Sequence, residues 1–154
     1  MNAAAHVAKN EDGVVVIFSM EMGRHELANR LAASETGLDL RRLTEGQLKD
    51  GEWARLEQAQ GELAKVGENI LLDVSGRVST ASIRTHLRRI AINRKIALVI
   101  VDYLQLCGTA ERAESQYVKT SMISGDLKAI AVDFDVPVLA LSQLSREAAR
   151  RTGE

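Results

Sequence analysis

IALVIVDYLQL, Ile96 to Leu106, is the stretch on which the fold turns. Ile96 to Val101 is an unbroken apolar run, rich in β-branched residues, and it ends on Asp102. A run so short and so apolar predicts a strand buried on both faces, as in a parallel sheet. Its acid then falls at the carboxyl end of the strand, where open α/β sheets gather their ligands. Hydrophobic residues followed by Asp make the Walker B pattern, in which a strand fixes a carboxylate where it can hold Mg²⁺ beside nucleotide phosphates. The pattern is short, however, and an Asp after a buried strand also serves simply to cap a turn. Its meaning depends on what surrounds it.

Three further runs have the same character. Val14 to Phe18, VVVIF, leads into Ser19-Met20-Glu21, and Ile70 to Val74, ILLDV, reads as a third strand. Val138 to Leu141 follows Pro137 and ends in Ser142-Gln143; Pro is tolerated at the first position of a strand. Helical patterns separate the runs. Asn2 to Lys9 is Ala-rich, NEDG at Asn10 to Gly13 is a turn signal, and Arg24 to Ser34 sets Leu27 and Leu31 on one face. Ser79 or Thr80 caps a helix whose inner face carries Ile83, Leu87, Ile90 and Ala91. Gly108 to Ser115, polar and aperiodic, is expected to be a mobile loop. The helix after it turns Ile123, Leu127, Ile130 and Phe134 inward, with Gly125 inside it at a cost of about 1 kcal/mol relative to Ala.

Residues 38–67 read as a helical insert. Thr44 and Gln47 have capping-box spacing, Asp50 is placed to cap a longer helix, and Gly67 stands where that helix should close. Trp53, Leu56, Leu63 and Val66 form its apolar stripe. Trp53 is expected to anchor packing rather than to stack on a base, because the chain has only five aromatic residues and a stacking surface needs company.

Composition narrows the function. The 154 residues suffice for one domain with a real core, and 20 basic against 21 acidic side chains leave no global field to attract a polyanion or a membrane. Arg84, Arg88, Arg89 and Arg94 cluster on one helix, a pattern more typical of a solvated face than of a nucleic-acid contact. No apolar run approaches the roughly 20 residues of a membrane span. The single cysteine, Cys107, agrees with a reducing compartment, and a cytoplasmic location is expected. His6, His25 and His86 lack the spacing of zinc ligands.

Strands alternating with helices predict an α/β fold, a mostly parallel sheet with helices on both faces. In such a sheet Glu21, Asp102 and Gln143 converge, since each lies just beyond the carboxyl end of a buried strand. A carboxylate for a metal, a second to orient water and an amide to sense a phosphate suit phosphoryl hydrolysis.

IVDYLQL, FSMEM, the LKAIA…VPVLALSQLSR run and the insert together resemble the RecA-like ATPase domain of DnaB-type replicative DNA helicases, over nearly the whole chain. The resemblance implies a RecA-like P-loop NTPase core that uses ATP and Mg²⁺. It implies that Glu21 polarises the attacking water, that Asp102 holds Mg²⁺ through water, and that Gln143 contacts the γ-phosphate and links its loss to DNA binding. It also implies single-stranded DNA as a partner, a homo-hexameric ring, and a helicase loader or primase alongside.

The chain departs from that pattern in places. No G-x-x-x-x-G-K-[ST] occurs, and NAAAHVA resembles the end of the helix that follows such a loop. Gly125-Asp126 stands in ISGDLK where the family commonly has an arginine. The expectation is therefore a partial RecA-like domain over residues 1–154, truncated at both ends, with negligible ATP hydrolysis on its own. The alternative is a non-catalytic RecA-like module that binds helicase subunits.

Overall fold

The structure, a computed structural model, describes residues 1–76, 78–108 and 115–143. The expected loop at Gly108 to Ser115 falls largely outside them, as does the chain beyond Gln143. Four strands form one sheet: β1 (Val14–Ser19), β2 (Ile70–Asp73), β3 (Ile96–Asp102) and β4 (Val138–Ala140). Their order across it is β2-β1-β3-β4, and every neighbouring pair is parallel. Each strand falls on one of the apolar runs.

Continuous apolar runs were needed because both faces are covered. Val14, Val16 and Phe18 of β1 point to one side with Val99 and Val101 of β3. There they meet Ile83 and Leu87 of α5 (Thr80–Ala91) and Ile123, Leu127 and Ile130 of α6 (Gln116–Asp133). Val15 and Ile17 point the other way with Leu98 and Ile100. That side receives α1 (Asn2–Asn10), whose Ala4, Ala5 and Ala8 are small enough for close approach to the sheet, together with Leu31 of α2 (Arg24–Thr36). All six residues of β1 are buried, as the period-2 geometry requires of an interior parallel strand.

The helical stretch forms as expected but ends differently. It comprises α3 (Leu40–Thr44) and α4 (Asp50–Glu68). Thr44 does not open a capping box; it closes α3, its hydroxyl donating back to the Leu40 carbonyl at 2.8 Å. Asp39 caps α3, accepting from the Arg42 N–H at 2.9 Å. Asp50 is the first residue of α4 rather than its cap, and the Glu52 carboxylate accepts from the Lys49 N–H at 2.8 Å. Gly67 lies inside the helix, which gives way at Asn69 with φ −96°. Trp53 does not anchor packing: it is 44% exposed, because only the last turns of α4, around Leu63 and Val66, enter the core.

Side-chain pairs tie the layers together. Asn69 donates to the Ala8 carbonyl at 3.1 Å, joining the end of α4 to α1. Arg94 reaches the Glu68 carbonyl and the Asn69 side chain, each at 3.1 Å, and Arg84 pairs with Asp133 of α6. Two arginines of the basic cluster are thus occupied in holding the fold; Arg88 and Arg89 are exposed. Ala91, expected on the inner face of α5, is exposed as well, since the helix ends there. Asp126 accepts a hydrogen bond from Thr80 Oγ1 at 2.6 Å, linking α6 to the first turn of α5. Gly125 sits beside it in unbroken helix with open space around it.

Candidate functional site

Parallel pairing aligns the carboxyl ends of the strands, and the register shows how closely. Ser19 pairs with Asp102, and the Met20 N–H donates to the Asp102 carbonyl at 2.9 Å. Val101 pairs with Ala140, and the Leu141 N–H donates to the Val101 carbonyl at 3.0 Å. Asp102, the last residue of β3, and Glu21 and Gln143, which follow β1 and β4, therefore lie at one edge of the sheet.

Each is presented differently. Ser19 is buried, and its hydroxyl accepts from the Met22 N–H at 3.2 Å while donating to the Met22 carbonyl at 3.0 Å. That tight turn carries Glu21 out into solvent. Asp102 is half-buried at the end of β3, and the peptide bond from it to Tyr103 is cis. Gln143 is exposed, three residues past β4.

A residue that sequence reasoning passed over holds this last segment. Gln105 Nε2 donates to Ser142 Oγ at 3.0 Å and to the Gln143 carbonyl at 2.8 Å. Its Oε1 accepts from the Gln143 N–H at 3.3 Å. From α6, Lys119 Nζ donates to the main-chain carbonyl of Gln105 at 3.2 Å. The only available sign was an amide set between two leucines in DYLQL.

The fourth strand end adds another acid, also unforeseen. Asp73 of β2 lies opposite Phe18, accepts from the Ser75 N–H at 3.0 Å, and meets His86 Nδ1 of α5 at 2.8 Å. Burial pushes its carboxyl up, but hydrogen bonds from Ser75 and the neighbouring His86 outweigh burial and hold it below the usual carboxylate range. The imidazole in turn stacks near Phe18, ring centres 6.1 Å apart. Asp73 is thus turned toward α5.

The chemistry of Mg²⁺ can be tested against these groups. Among the described residues no three His, Cys, Asp or Glu side chains gather as a metal cage. Mg²⁺ does not require one, being held by one or two carboxylates with water and substrate phosphates. A single half-buried acid at a strand end fits that habit, and Asp102 is such an acid. The same edge offers no glycine-rich loop with the G-x-x-x-x-G-K-[ST] spacing to cradle phosphates. No described helix is long and apolar enough to cross a membrane.

Comparison with known proteins agrees with this geometry. The family described as DnaB-like helicase C terminal domain matches residues 1–154. The replicative DNA helicase DnaC of Bacillus subtilis (strain 168) is 36% identical over 152 residues, covering 98% of this chain and 33% of the relative. The replicative DNA helicase DnaB of Geobacillus stearothermophilus is 35% identical over the same length and covers the same shares. The chain spans about a third of the length of these curated relatives. Among solved structures, a DnaB-like replicative helicase, described with its interactions with primase, superposes with a TM-score of 0.83 at 31% identity, over 96% of this chain and 36% of its own. A second solved structure, described as an ATPase domain, gives the same TM-score and identity over 96% of this chain and 52% of that one. Family, sequence and fold agree: the chain belongs to the DnaB-like helicase C-terminal domain family.

Proposed function

We propose that this chain forms the strand-end half of the ATPase site in a replicative helicase motor that couples ATP hydrolysis to movement along single-stranded DNA. The observation that carries the reading is the register that sets Glu21, Asp102 and Gln143 beyond adjacent strands at one sheet edge. Glu21, exposed on its tight turn, orients and deprotonates the attacking water. Asp102 would hold Mg²⁺, and Gln143, three residues past β4, would contact the γ-phosphate. Bound Mg²⁺-ATP supplies the phosphoanhydride and the neutralising charge for phosphoryl transfer. Residues 1–154 act here as a partial RecA-like domain with the insert at 38–67, and a phosphate loop has to come from outside them. In the cytoplasm, a hexameric ring with a primase or loader bound to it is the assembly this role calls for.

The test is a chimera in which residues 1–154 replace the matching segment of the Bacillus subtilis relative. DNA-stimulated ATP turnover and nucleotide binding are then measured. Glu21→Gln should keep nucleotide binding and lose about 10²–10⁴-fold in kcat, the usual worth of general-base catalysis. Asp102→Asn should weaken Mg²⁺-dependent binding as well, because metal clamping acts on the ground state too. Unchanged turnover in the Glu21→Gln chimera would remove Glu21 from the role of general base, and a chimera without turnover would assign the chain to a non-catalytic interaction module.

A further inference from the structure

We propose that Gln105 is a positioning residue, whose side chain extends the β3–β4 ladder past the strands and fixes where Gln143 stands relative to Asp102. The main-chain rungs run Leu141 N–H to Val101 carbonyl at 3.0 Å, then Leu104 N–H to Leu141 carbonyl at 2.9 Å. Beyond Leu104 the backbone turns into a 3₁₀ turn, Leu104–Leu106, and takes no further part in the ladder. The Gln105 side chain continues the pairing. A carboxamide carries the same complementary groups as a peptide unit, an N–H donor and a carbonyl acceptor. Gln105 offers both to Gln143, taking its N–H at 3.3 Å and giving to its carbonyl at 2.8 Å, while a further contact to Ser142 Oγ at 3.0 Å holds the preceding residue.

The clamp has a fixed base. Lys119 of α6 holds the Gln105 carbonyl, so the segment leaving β3 is tied to a helix packed on the sheet. Residue type matters here. Glu would lose both donor contacts, Asn is one methylene short, and Met keeps the length without either polar group. Asp102 and Gln143 are thereby joined through three residues of chain and one amide, so a displacement of the β4 end is felt at the end of β3.

The clamp itself rests on geometry alone; its kinetic consequence rests on the role given to Gln143 above. Two measurements separate them. In the 154-residue chain, amide hydrogen exchange is compared between wild type and Gln105→Met. The Gln143 N–H should exchange roughly 3–10-fold faster in the variant, the loss of one hydrogen bond, while amides of Val15 to Phe18 and Val99 to Val101 keep their rates. Equal exchange at Gln143, or faster exchange spread across the sheet, overturns the clamp.

In the chimera, Gln105→Met should lower kcat by roughly 3–10-fold and leave KM for ATP within about twofold. In a Gln143→Ala background the same substitution should have no further effect, because a residue acting through another is silent once that other is gone. Additive losses overturn the positioning role. Should Gln143→Ala alone leave turnover unchanged, the phosphate-sensing role fails, while the exchange measurement still decides the clamp.

Discussion

Asp73 is the described carboxylate at the sheet edge whose surroundings make a pH dependence readable. Burial works to raise it, yet Ser75 and His86 hold it below the ordinary range. A carboxyl depressed in the folded chain contributes stability that is complete above its unfolded value, near pH ~3.9, and lost as pH falls through the folded value. In that window the unfolded chain binds the extra proton. Asp73→Asn should therefore lower the urea midpoint at about pH 7, and the gap to wild type should close as the solution is taken well below about pH 4. A gap of the same size at both ends of the titration would mean that the carboxylate charge is not what the site uses. Little of this was legible in the sequence. Asp73 falls inside the stretch Ile70 to Val74 rather than just beyond its end, and its partner His86 lies on another element. Gln105 escaped for a related reason: a side chain pairing with distant backbone leaves no periodicity behind. The placement of Glu21, Asp102 and Gln143 at one edge could be read because parallel strands translate position along the sequence into position at an edge.

Elements were legible wherever burial dictated composition. A strand covered on both faces has to be apolar throughout, so VVVIF and IALVIV announced β1 and β3 directly. Helix ends were less so. Asp39 rather than Thr44 took the capping role near α3, because the choice among several short polar residues depends on where the chain enters the first turn. Trp53 misled because an apolar stripe says which face is inward, not how far along the helix the core extends. Gly13 shows how firmly an element can be pinned. It has φ +126°, and a Cβ there would come within 2.7 Å of the Lys95 carbonyl oxygen, the same oxygen that accepts the Val14 N–H at 2.9 Å. Gly13→Ala thus combines a left-handed backbone with a clash against main chain that opens the β1–β3 ladder. It should cost about 1–3 kcal/mol in urea unfolding. A loss below about 0.5 kcal/mol would show that the turn relaxes freely.

At the scale of the whole molecule the sheet is unevenly protected. β1 and β3 have partners on both sides, whereas β4 ends the described sheet. Leu139 is 45% exposed and Leu141 41%, and Val132 of the adjacent helix is 66% exposed. An apolar strand edge of this kind pairs readily with another chain. The 154-residue chain should therefore show concentration-dependent association in sedimentation velocity, and Leu139→Lys should shift it toward the monomer. A wild-type chain that stays monomeric across a wide range of concentration would remove the edge from consideration.

The strand order carries a consequence in time. β1 lies inside the sheet, yet it is the earliest of the four strands to be synthesised. Its neighbour β3 begins at Ile96, roughly 75 residues after β1 ends, and at ribosomal speeds of about 5–20 residues per second that is a wait of about 4–15 s. For those seconds VVVIFS has β2 at most for a strand partner, and its Val14, Val16 and Phe18 face still waits for Ile123, Leu127 and Ile130 of α6. The nascent protein is most exposed to a chaperone, or to a neighbouring ribosome's product, at the very segment that later carries Glu21.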